Sequence, residues 1–183
     1  MSPTQEQQDV ARQFVGLAIE ALTFEGRVHA ETAIAGTARM AGTFLFRSFG
    51  FPLDSVQPGQ AVLSDAANEQ GPRLVQVLGH ALAHLGVVLD KAKLGTGSGP
   101  EHRPQLDFLA TQKRLEPGFL RAMEASGLSF VQAAESAAIA TAIVIKQCVP
   151  VLDPNLAFGM AVYGFVEGSK TAPCPVVLAR DAA

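Results

Sequence analysis

The sequence predicts an all-α fold: a single-domain helical bundle of about five longer helices, with short helical segments between them and an extended C-terminal tail. Three observations carry this expectation. Apolar residues recur at helical spacing through most of the chain. Capping residues stand where those runs begin, at Thr4, Ser129 and Asp153. The chain has 183 residues, 48% hydrophobic and 17% charged, which suits one domain with a sizeable core. The expected domain spans residues 1–183, with a flexible loop at 94–104 and the tail at 171–183.

The first helix opens on a capping box formed by Thr4 and Gln7. Glu6, Asp9, Arg12, Gln13, Gly16 and Glu20 share its outer face; Val10, Phe14, Leu17, Ala18, Ala21 and Leu22 share the inner one. Gly26 is a natural stop. The second helix is expected from Val28 to Phe49. Its narrow polar stripe is His29, Thr32, Gly36, Arg39, Thr43 and Arg47, on an otherwise small or apolar cylinder. "FGFPLDSVQPGQ" then marks a loop. A short helix near Gln60–Glu69 is expected to break at "QGP", with Pro72 in the first turn of the helix that follows.

In that following helix, Arg73–Lys91, leucines and valines wrap most of the cylinder. Arg73, Gln76, His80, His84 and Lys91 form its one polar stripe. "LGTGSGPEHRP" is linker chemistry ending in proline. "QLDFLATQKRL" resumes a helix that "EPG" at 116–118 interrupts, and a short piece closed by Gly127 follows. Ser129 and Gln132 give a second capping box. The middle of that helix is apolar all round, with Ile139 and Ile143 on the stripe that Glu135 begins. Asp153 and Pro154 signal a last helix, but Gly159 and Gly164 leave 156–168 open between helix and strand. The 73–91 and 128–148 helices, too apolar for the outside of a small monomer, are expected at the centre.

The net charge is −3 and no basic stripe exists, which excludes a nucleic-acid face. The longest apolar run, residues 137–145, is far short of the roughly 20 residues a membrane span needs. The polar N-terminal stretch leads us to expect no secretion signal, and Cys148 and Cys174 have no metal or redox spacing. A cytoplasmic protein with reduced thiols is the expectation.

His80 and His84, four residues apart, face the same way and could supply two metal ligands. Further ligands would have to come from His29, Glu31, His102 or Asp107 on other elements. Arg73 and Lys91 on the same stripe oppose a metal. Arg39 and Arg47 align on one side of the second helix and could hold an anion, or cap carbonyls and reach solvent. "GTGSG" lacks the lysine of a phosphate loop, and no nucleophile elbow or zinc-protease motif occurs. The candidate ligand-binding residues are therefore His29, Arg39, Arg47, His80 and His84, with His80 and His84 the metal candidates and the cofactor not specified by the sequence. The expected function is a self-associating helical binding module, a homodimer taking a small-molecule or protein partner, without nucleic acid or membrane. The alternative is a metal- or anion-dependent enzyme using the histidine pair.

Overall fold

The computed structural model describes residues 3–54, 56–94 and 100–175. Among them the chain forms six α-helices: α1 (Gln5–Leu22), α2 (Ala30–Ser48), α3 (Asp65–His84), α4 (Phe108–Ala125), α5 (Phe130–Cys148) and α6 (Pro154–Ser169). The all-α expectation holds. Both capping boxes are present, Thr4 with Gln7 on α1 and Ser129 with Gln132 on α5. Asp153 caps α6 and Pro154 occupies its first turn, so 156–168 is helix and not strand.

Its two buried glycines, Gly164 and Gly168, permit contact that any side chain would block. A Cβ on Gly168 would lie 2.3 Å from the Arg39 carbonyl oxygen, and one on Gly42 would lie 2.5 Å from that of Phe165. A Cβ on Gly164 would meet that of Ala38 at 2.7 Å. Helices α2 and α6 therefore touch backbone to backbone, an approach that only small residues allow.

The centre belongs to α2. Its residues are buried without a break from Thr32 to Phe46, and it packs against all five other helices. This corrects the expectation that the 73–91 helix shares the centre with the 128–148 helix. Helix α5 is central, with Ala133, Ala137, Ala138, Ala140, Ala142 and Ile145 fully buried. Helix α3 is peripheral: it buries Leu74, Leu78 and Leu82 on one seam, with Ala67 from its first turn, and leaves His80, Ala83 and His84 exposed. It also ends at His84 and not Lys91. Gly86, at φ 71°, takes the left-handed position, and the Val87 N–H donates to the Leu82 carbonyl at 2.9 Å. Val87 is buried behind this turn while Val88 is 85% exposed.

Two expected helix breaks do not occur. Pro72 lies inside α3 and Pro117 inside α4. A proline deprives the carbonyl four residues earlier of its donor. Those residues, Asn68 and Lys113, and both prolines are exposed, so water can meet the freed carbonyls. Buried residues on either side, such as Ala67 with Leu74 and Leu115 with Phe119, hold each helix together across its proline. The break between α4 and α5 comes at Gly127, at φ 63°, as expected.

An aromatic cluster ties the helices into one core. Phe14 of α1 stacks on Phe119 of α4 with centroids 4.2 Å apart, and Phe44 of α2 tilts against both and against Phe130 of α5. Of the expected flexible loop 94–104, residues 95–99 lie outside the described residues, and Pro100–His102 form a short 3-10 turn. Of the expected tail, Thr171 pairs with Ala61 in an antiparallel bridge, and residues 176–183 lie outside the described part. No single helix among the described residues is long and apolar enough to cross a membrane.

Candidate functional site

Helices α1, α3 and α5 enclose an open groove of about 750 Å³. It is built from stripes that helical periodicity sets. Helix α3 contributes Val77, His80, Ala81 and His84, and its C-cap Leu85; α5 contributes Glu135, Ile139 and Ile143 at one-turn intervals; α1 contributes Gln8 and Arg12, with Pro3 before it. The two histidines are exposed on this wall, so the polar stripe of α3 faces a lined concavity.

One region of the groove is closed by a polar clamp. The Glu135 carboxylate accepts a hydrogen bond from the buried Gln7 amide at 2.9 Å and pairs with the Arg73 guanidinium. Gln7 also accepts from the Thr4 N–H in the capping box, so the cap of α1 and the acid of α5 are one network. Arg12 reaches back to Asp9 on its own helix. Both members of that pair are more than half exposed, and water weakens it enough for a ligand to compete.

The structure brings His80 and His84 together and places the other sequence candidates elsewhere. His29 caps α2: its Nδ1 accepts from the Thr32 N–H at 3.3 Å and lies 2.9 Å from the Thr32 hydroxyl. Because Nδ1 already accepts from the Thr32 N–H, that hydroxyl, which itself accepts from the Gln105 N–H, is the donor in its contact with His29. The pattern assigns the ring proton to Nε2, which lies 3.3 Å from the Glu31 carboxylate. A ring with Nδ1 accepting and Nε2 protonated has no lone pair left for a metal. His102 Nδ1 bonds the other Glu31 oxygen at 3.0 Å. Burial pushes the Glu31 carboxyl up, but the His102 hydrogen bond, its own N–H and the two nearby rings outweigh this and hold it below the ordinary value.

Asp107, another candidate ligand, caps α4 by accepting from the Ala110 N–H at 2.7 Å. Burial, reinforced by the Glu31 charge, pushes the Cys148 thiol up, the opposite of what an activated nucleophile needs. Among the described residues no group of three or more His, Cys, Asp or Glu side chains could hold a metal ion.

Arg39 and Arg47 lie in the interior, and each is held by an acid and by further acceptors. Arg39 Nε meets Glu167 at 2.5 Å, and its terminal nitrogen donates to the Leu106 carbonyl at 2.7 Å and to the Thr111 hydroxyl at 3.0 Å. Arg47 Nε meets Glu116 at 2.6 Å, and its NH2 nitrogen donates to the Cys174 carbonyl at 2.8 Å. Between them Gln112 donates to Thr43 at 3.0 Å and accepts from the Cys174 N–H at 3.0 Å. The polar stripe of α2 is thus a buried seam facing α4, α6 and the start of the tail.

Sequence reasoning missed most of the groove wall. Ile139 and Ile143 stood out as a continuation of the Glu135 stripe, but their partners Val77, Ala81, Leu85 and Arg12 lie on other elements. The outer face carrying Arg12, the polar stripe of His80 and His84 and the Glu135–Ile139–Ile143 stripe are each legible alone in the sequence; their meeting is not. No protein-family model matches this chain, and no curated protein or solved structure matches it either.

Proposed function

We propose that this protein is a binding module whose α1–α3–α5 groove takes a small amphipathic carboxylate. The observation that carries the proposal is the groove itself: its volume of about 750 Å³ lies within the few hundred to about a thousand Å³ typical of small-molecule sites. Its chemistry divides in two. Val77, Ala81, Leu85, Ile139 and Ile143 offer an apolar bed, His80 and His84 offer ring N–H donors, and Arg12 offers a positive charge for an anionic head. Glu135 is already held by Gln7 and Arg73, which reduces its repulsion of such a head. The arginines and acids of the α2 seam satisfy one another and support the fold, leaving binding to the groove.

Decanoate titrated into the protein by calorimetry tests this. Saturable one-site binding with a negative heat-capacity change is expected. Ile143→Asp should abolish it, and His80→Ala with His84→Ala together should weaken it roughly tenfold, as the loss of about one charge-assisted contact would. Circular dichroism should show both variants folded. Absence of saturable heat at millimolar decanoate, or unchanged affinity in Ile143→Asp, would overturn the reading.

A further inference from the structure

We infer that the groove takes up protons together with its anion: His80 and His84 become charged as the ligand binds, so the site holds an anion more tightly in mild acid. This rests on the groove reading above and adds to it the regulation of that site by pH.

The four histidines divide into two pairs. His29 and His102 both face Glu31, whose carboxylate lies 3.3 Å from the first ring and 3.0 Å from the second. Either ring can be charged against an acid already in place. His80 and His84 have no such acid. Both are exposed, stand one turn apart on α3 and line the groove, and among the described residues neither has a hydrogen-bond or ion-pair partner. The other titratable groups of the wall are already matched. Glu135 of α5 accepts from Gln7 on one oxygen and pairs with Arg73 through the other, and Arg12 of α1 pairs with Asp9. An incoming anion is therefore the first counter-charge these two rings meet.

Imidazole is the side chain that ordinarily changes charge between about pH 5 and 8. With both rings neutral, Arg12 offsets Glu135 and the wall carries no excess charge. Two added protons leave two unmatched positive charges one helical turn apart. Like charges at that spacing repel, so the empty groove resists the second proton. An anionic head seated between the rings relieves that repulsion and accepts a charge-assisted hydrogen bond from each. The coupling is reciprocal: protons strengthen anion binding by the same factor through which the anion strengthens proton binding. Affinity is highest below the histidine range, falls as pH rises through it and levels off above it. A carboxylic acid ionises near about pH 4–5, so such a ligand keeps its charge where the rings titrate.

Decane-1-sulfonate, an anion at every pH used, separates titration of the protein from titration of the ligand. By calorimetry it should bind the wild type at least tenfold more tightly at pH 5.5 than at pH 8.0. Near pH 6.5 the measured heat should vary with the ionisation enthalpy of the buffer, the sign of proton uptake on binding. His80→Gln with His84→Gln keeps polar side chains that cannot titrate; this double variant, folded by circular dichroism at both pH values, should bind with one affinity at both. In the wild type, ring-proton NMR should show the ligand moving the His80 and His84 titrations to higher pH and leaving those of His29 and His102 in place. Equal wild-type affinity at the two pH values would overturn the coupling and leave the groove reading standing. A pH dependence that survives in the double variant, or ligand shifts confined to His29 and His102, would put the proton elsewhere and overturn it equally. No saturable binding at either pH would overturn both readings.

Discussion

Glu116 and Arg47 show how a single pair shapes the pH response of this fold. Their side chains are 7% and 11% exposed. Burial pushes the Glu116 carboxyl above its ordinary value, and the Arg47 hydrogen bond and charge offset only part of that. A carboxyl whose value is raised on folding holds its proton more tightly in the folded state. Its contribution to stability is therefore greatest below the unfolded value of about 4.5 and is lost as pH rises through the raised folded value. Arg47→Ala removes both the hydrogen bond and the charge and leaves a bare acid in the interior. We expect a loss on the order of 3–5 kcal/mol at neutral pH, the usual cost of breaking a buried pair from one side. The loss should shrink as pH falls from neutral toward the ordinary carboxyl value of 4.5, because the raised, orphaned carboxyl takes up a proton along the way and ceases to be a buried charge. Urea denaturation at the two pH values checks this; an equal loss at both would show that the acid is not the source. Nothing in the sequence pairs these residues. The spacing of Arg39, Thr43 and Arg47 was legible as a stripe, but Thr111, Gln112 and Glu116, which meet it, belong to another helix.

At the scale of the element, α6 carries the sharpest prediction. Glycine inside a helix costs roughly 0.5–1 kcal/mol relative to alanine when its surroundings are empty. Gly16, exposed on α1 with nothing within 4 Å of its would-be Cβ, is such a case, and Gly16→Ala should stabilise the protein by about that amount. Gly168→Ala should do the reverse. Its Cβ would stand 2.3 Å from the Arg39 carbonyl and 2.8 Å from the Thr43 nitrogen, both backbone atoms that no rotamer change can move. Helices α2 and α6 would have to separate, and a loss of about 1–3 kcal/mol or more is expected from overpacking of this kind. Thermal melts of the two variants decide it; equal shifts of one sign would refute the close-contact account. The same residues explain what the sequence showed and hid. Caps at Thr4, Ser129 and Asp153 were legible because their chemistry is local. Gly164 weakens a helix reading, Pro72 reads as a helix start and Pro117 as a break; what the sequence hides is that Gly164 is held by a helix distant in sequence and that buried residues on both sides carry each helix through its proline. Gly86 ended α3 inside a run of leucines and valines that hydrophobic periodicity had carried on to Lys91.

At the scale of the whole molecule, the misplaced centre has one physical cause. Leucine and valine density pointed to the 73–91 helix, but a rod with neighbours on every side needs small residues more than oily ones. Helix α2 supplies Ala33, Ala35, Gly36, Ala38, Ala41 and Gly42, and five helices close around it. Helix α3, richer in large side chains, needs depth only along Leu74, Leu78 and Leu82 and gives its remaining face to the groove. The groove was only half legible for the same reason: its stripes are local, but their meeting is not. This arrangement sets an order of local stability. The core residues of all six helices form one connected cluster, so the α2 backbone opens only when the whole cluster does. Native-state hydrogen exchange should find the Ala33–Phe46 amides the slowest, with opening free energies equal to that from global urea denaturation. The α3 amides from Gly79 to His84, on a helix that buries one seam and ends beside open space, should exchange through smaller openings with less dependence on denaturant. Decanoate should slow those α3 amides first, if it occupies the groove, and leave the α2 ranking unchanged. Exchange of α3 and α2 at one common free energy in the absence of ligand would mean that the groove wall is part of the rigid core, and the soft-wall account would fail.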